Sequence, residues 1–130
     1  MFANSLKQGN AGLGKAIAYF TMHGYGVAIP LTDSEDWDLV VCKDRKLQKV
    51  QVKTSTQMPK NVEVFEVSVH GGNNGKLKTC KYIAEQDWDL LFLYHLTTGL
   101  TALIPKSVLS VKNKVMFGPR TKYREYLITD

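Results

Sequence analysis

A chain of 130 residues can bury a core without disulfide or metal support and is short enough to form one unit, so residues 1–130 are read as a single domain with one function. Lys and Arg outnumber Asp and Glu by 17 to 12, and the resulting +5 leans mildly toward a polyanionic partner. The only cysteines, Cys42 and Cys80, stand far apart with no zinc-ligand spacing around them, which excludes a disulfide framework and a zinc module, and no run reaches the roughly 20 apolar residues of a membrane span, so a cytoplasmic protein without membrane contact is expected.

In chain order, Leu13, Ala16, Ile17 and Phe20 recur at helical spacing and predict an amphipathic helix over 13–22, stopped near Gly24. "YGVAIPL" predicts a short strand closed by Pro30, and "TDSED" a polar loop. The segment 38–54, "DLVVCKDRKLQKVQVKT", predicts a hairpin, and "EVFEVSVH" a strand of period two. "GGNNGKLKTCK" reads as a basic loop. "DWDLLFLYHL" is nearly all apolar, as a strand covered on both faces would be; "LTALIP" is its hairpin partner, and Pro105 can start a short helix. The expected class is α/β or α+β, a mixed sheet of about five or six strands flanked by helices.

With the two-residue turn at Asp44 and Arg45, cross-strand partners sum to 89, so Asp38 faces Gln51 and Asp36 faces Lys53. Trp37, Leu39 and Val41, opposed by Val52, Val50 and Gln48, then form the core side. A carboxylate, an amide oxygen and an ammonium on one face, at cross-strand Cβ distances of about 5 Å, suit phosphodiester hydrolysis. Asp38, Gln51 and the main-chain carbonyl of Val52 would hold Mg²⁺, with Mn²⁺ able to replace it, while Lys53 orients water or stabilises the oxyanion. The alternative from pattern alone is a solvated surface pair between Asp38 and Lys53.

"GLGKAIAYF", "GYGVAIPLTDSEDWDLVV" and "LQKVQVKT", in this order, resemble the PD-(D/E)XK nuclease superfamily. The likeness is to the branch of small nucleases that includes a cyanobacterial group I intron homing endonuclease and, at greater distance, archaeal Holliday junction resolvases. It runs over roughly residues 8 to 56, and more weakly through the later strand pair. The resemblance assigns the motif aspartate to Asp38, the (D/E) position to Gln51 and the motif lysine to Lys53. It implies an endonuclease acting on duplex DNA or a four-way junction, and a homo-oligomer, with a dimer expected because two strands need two cuts. Two departures stand out: Gln51 replaces an acid, and Leu13 and Gly14 occupy the first-helix region where many relatives carry a metal-binding glutamate. Asp33, Glu35, Asp36 or a second subunit could supply the missing charge, and Ser34 and Asp36 are accessory candidates. Otherwise the chain is a weakened nuclease fold that serves as a DNA-binding or protein-interaction module.

Further DNA contacts are expected from Lys7, Gln8 and Lys15 around "QGNAGLG", whose glycines either present N–H groups to phosphate or allow close packing, and from His70, Lys76 and Lys78 in the basic loop. His23 and His95 are read as structural, and Trp37 and Trp88 as core residues. Tyr123, Arg124 and Tyr126 fit nucleic acid, a sheet edge or a subunit interface equally well.

Overall fold

A computed structural model describes residues 5–32, 34–71, 79–118 and 122–129. Helix α1 (Ser5–Met22) leads into β1 (Gly26–Ala28), β2 (Leu39–Lys43) and β3 (Lys46–Ser55). After β4 (Glu63–Glu66), β5 (Val69–Gly71) and β6 (Thr79–Lys81) come β7 (Leu90–His95), β8 (Thr101–Pro105) and β9 (Lys114–Phe117). The main sheet has the order β1-β2-β3-β7-β8, antiparallel throughout except for the parallel pair β3 and β7, while β4 with β9 and β5 with β6 form two-stranded sheets. This is the mixed sheet expected.

The helix is already formed at Ser5, eight residues before its apolar periodicity begins. "QGNAGLG" therefore lies inside α1, and its backbone N–H groups are not a loop cradle for phosphate. Gly12 instead allows close packing: a Cβ there would overlap the Thr54 methyl and stand 3.6 Å from Val52 Cγ1. Gly12→Ala is expected to destabilise the fold by about 2 kcal/mol, as overpacking does. Comparison of denaturant midpoints checks this, and Gly14→Ala, whose Cβ would meet nothing within 4 Å, is the control.

The hairpin has the expected register, with Leu39 opposite Val50 and Val41 opposite Gln48. Asp44 and Arg45 take φ of 53° and 64°, as a two-residue turn that follows the strand twist requires. The sheet is covered on both faces, and β7 shows why its sequence is apolar without alternation. Leu90 and Phe92 pack with Ala16, Phe20, Leu39, Val41 and Val50 beneath α1. Leu91 and Leu93 face the opposite way and pack with Phe65, Val67, Ile104, Val115 and Phe117. The Gln51 and Lys53 side chains belong to this second face, because their register partners in β7 are Leu91 and Leu93.

Trp37 departs from the expected core side. It packs against the Phe65 and Leu91 cluster rather than beneath α1, because β2 begins only at Leu39 and strand alternation does not reach back to residue 37. "EVFEVSVH" is likewise broken, since β4 ends at Glu66 and Val67 and Ser68 are both buried outside any strand. The tail returns to the sheet, with Leu127 bridging Ala102 and Tyr123 buried. His95 is a satisfied core residue, its Nε2 2.9 Å from the Gln57 carbonyl and its Nδ1 3.0 Å from Thr98 Oγ1. Trp88 is buried too and donates to Gln86 Oε1 at 2.7 Å. Among the described residues no helix is long and apolar enough to cross a membrane.

Candidate functional site

Asp38 stands one residue before β2 and is clamped to β3 from two sides. Its N–H donates to the Val50 carbonyl at 2.8 Å, and its Oδ2 accepts from the Val52 N–H at 2.8 Å. A strand residue directs its N–H and its C=O to the same side. The Val52 carbonyl is thereby turned toward Asp38, into the space left where β2 has ended.

Gln51 is only 5 % exposed, so the alternative of a solvated surface pair does not describe this face. Its Nε2 donates to the Asp36 carbonyl at 2.5 Å. Only the nitrogen end of the amide can donate to a carbonyl, which leaves Oε1 for the site. The same contact gives a physical reason for an amide at this position: a carboxylate would set an anion against the Asp36 carbonyl with no donor between them.

Lys53 is half-buried on the same face. Burial pushes its ammonium below the ordinary lysine range, and the Asp38 and Glu66 carboxylates pull it part of the way back. Glu66 reaches this place from a different strand, and no spacing in the hairpin points to it. It lies at the end of β4, which is anchored over β3 where Ser55 Oγ donates to the Val64 carbonyl at 2.6 Å, and Ser68 Oγ donates to its Oε1 at 2.7 Å. The only signal in sequence was the polar phase of "EVFEVSVH", which does not say which strand it will cover.

Asp36 does not face Lys53 as strand pairing would have it. Its carboxylate is 3.3 Å from Lys81 Nζ and accepts from the Asp87 N–H at 3.0 Å, so it turns away from Lys53. The physical reason is the one that moves Trp37: residue 36 precedes the strand, and its backbone is held by Gln51. Ser34 is exposed and Asp33 lies outside the described residues. Glu35 lines an open groove of about 260 Å³ together with Asp38, Trp37 and Leu13, so an apolar side chain forms the helix wall beside Asp38.

Of the expected DNA contacts, Lys7 and Lys15 are exposed on α1 and Gln8 is half-buried there. Gln8 and Gly12 are one turn apart, and Gly12 packs on Val52 and Thr54, so this half of the helix flanks the candidate site. Lys15 Nζ sits 5.6 Å from the Tyr94 ring centre. Lys76, Lys78 and the side chain of His70 lie outside the described residues.

Among the described residues no group of three or more His, Cys, Asp or Glu could hold a metal ion. The oxygens that could serve here are of another composition: the Asp38 carboxylate, the Gln51 amide oxygen and the Val52 carbonyl. An all-oxygen set fits a hard divalent cation such as Mg²⁺, and its single negative charge suits weak binding that leaves water in the coordination sphere.

The sequence model of one family, described as PD-(D/E)XK endonuclease, matches residues 3–122. Protein 5.3 of Escherichia phage T7 is 39 % identical over 77 residues, a stretch that covers 58 % of this chain and 60 % of that protein. The structure of the bacterial homing endonuclease I-Ssp6803I superposes with a TM-score of 0.75 at 22 % identity, over 97 % of this chain and 88 % of that one, which shows a shared fold.

Proposed function

The chain belongs to the PD-(D/E)XK endonuclease family, and on that premise we propose that it hydrolyses phosphodiester bonds in DNA with a divalent cation, Mg²⁺ or Mn²⁺. The observation that supports the reading is the Asp38 carboxylate clamped to the Val52 N–H, with Gln51 and Lys53 together on one sheet face. Asp38 provides the negative charge, and Gln51 Oε1 and the Val52 carbonyl the neutral donors. A cation held there would supply Lewis-acid polarisation of the scissile phosphate. The Lys53 ammonium, partly desolvated by its neighbours, orients the attacking water or stabilises the charge that develops on the phosphoryl oxygens.

The proposed substrate is duplex or branched DNA. A single domain with one site must act twice to sever a duplex, so a homo-oligomer, most simply a dimer, is part of the proposal. The apolar Leu13 beside Asp38 favours a second reading, a nuclease fold weakened in catalysis that works by binding DNA or another protein. Cleavage of a linear duplex library and of a four-way junction, with Mg²⁺ or Mn²⁺, tests both. Cutting at discrete duplex sites supports a homing or restriction-type enzyme, and cutting of the junction alone supports a resolvase. Salt-sensitive binding without cutting overturns the enzymatic reading in favour of the second.

A further inference from the structure

The overhanging tip of the β2–β3 hairpin has no role in the chemistry above. In a strand on a covered sheet, at least alternate residues are buried. Here Cys42, Lys43, Asp44, Arg45, Lys46 and Leu47 are all exposed, Leu47 at 68 %, so both faces of the ribbon are bare. Three of these six residues are cations and one is an anion. Lys43 is used as a brace: its Nζ donates to the His23 carbonyl at 2.9 Å and lies 4.9 Å from the Tyr25 ring centre, tying the ribbon to the end of α1. Arg45 and Lys46 have no ion-pair partner among the described residues, and Lys46 forms one wall of an open groove of about 680 Å³. Gln48, Lys106 and Ser107 line the same groove, with Lys106 Nζ donating to the Gln86 carbonyl. Its one carboxylate, Asp89, is already engaged, accepting from the Lys49 N–H at 2.8 Å.

We propose that this ribbon, through Arg45 and Lys46, is a second DNA contact, separate from the cleavage site, that enters a duplex groove and meets the phosphates along it. A two-stranded ribbon fits the B-DNA major groove, about 12 Å wide, and the planar guanidinium of Arg45 can grip a guanine edge or a phosphate by two hydrogen bonds. Seven steps along β3 separate Lys46 from Lys53, about 23 Å at the usual strand rise, which corresponds to about seven base pairs of duplex. The proposal rests on the nuclease reading for its partner, but its test does not need cleavage.

Binding of a fluorescent duplex of roughly 30 base pairs, followed by anisotropy without divalent metal over a series of salt concentrations, compares wild type with Arg45→Asn/Lys46→Gln. Asparagine is chosen because it tolerates the positive φ of residue 45, and circular dichroism verifies the fold. The expected result is an affinity about tenfold lower and a log–log salt slope shallower by about 2, one unit per lost phosphate contact. If the variant binds with wild-type affinity and slope, the ribbon is not a contact and the nuclease reading stands. If wild type itself shows no salt-sensitive binding, the ribbon proposal and the DNA substrate are overturned together.

Discussion

Replacing Asp38 with asparagine is expected to abolish Mn²⁺ binding and to slow DNA cleavage by about a thousandfold or more, with little change in thermal midpoint. The two effects separate because Asp38 has two jobs. As a structural group it accepts the Val52 N–H, and the carbonyl oxygen of asparagine can accept the same bond. As a chemical group it is the only carboxylate among the three proposed metal donors, so neutralising it leaves those donors without anionic charge. Alanine is a poorer probe, since it would leave the Val52 N–H without its acceptor and cost about 1–3 kcal/mol of stability besides. Mn²⁺ titration followed by electron paramagnetic resonance, calorimetric melting and a cleavage assay read the three quantities independently. Wild-type cleavage by the asparagine variant would remove Asp38 from the chemistry.

Lys53→Met is expected to have opposite effects on activity and stability. Cleavage should fall by at least about a hundredfold, because the ammonium that meets developing charge is gone. The metal-free fold should be more stable at neutral pH by about 1 kcal/mol, or about 3–5 °C, because methionine fills the same half-buried space without a desolvated cation. The pH dependence follows from the direction of the Lys53 shift. Its folded pKa lies below the unfolded value near 10.5, so between the two the unfolded chain binds more protons and wild-type stability rises with pH. The advantage of the methionine variant is therefore full below the folded pKa and shrinks as pH climbs through it toward 10.5. Melting curves of both proteins across neutral and alkaline pH read this directly, and an advantage that held constant with pH would mean that Lys53 is not held in a desolvating environment. In wild type, activity that needs the ammonium should decline on the alkaline side earlier than an ordinary lysine would allow.

The two residues that the resemblance marks as departures, Gln51 and Leu13, have unequal physical explanations. Gln51 is accounted for by the carbonyl of Asp36, which needs a donor at that point. Leu13 has no such partner; it forms an apolar wall beside Asp38, and Glu35 is the carboxylate that shares that groove. The pairing of Asp36 with Lys81 and the Asp87 N–H leaves that side chain tied to the end of β6 and to the stretch that leads into β7.

The amino-acid sequence alone determined the hairpin, its turn at Asp44 and Arg45, its register, and with them the shared face of Gln51 and Lys53. Strand periodicity and a two-residue turn are local, and together they leave one pairing. It also determined that β7 is covered on both faces, since an unbroken apolar run has no wet side. Only the tertiary structure decided what happens where periodicity stops. The N-terminal half of α1, outside the apolar periodicity, packs where Gly12 fits against Thr54, 42 residues away in the chain. Trp37 and Asp36 lie just outside β2, so packing against the Phe65 cluster and pairing with Lys81 settled their directions. Glu66 came near Lys53 through the way β4 crosses the sheet. These are contacts between elements distant in sequence, whose geometry exists only once both elements are in place.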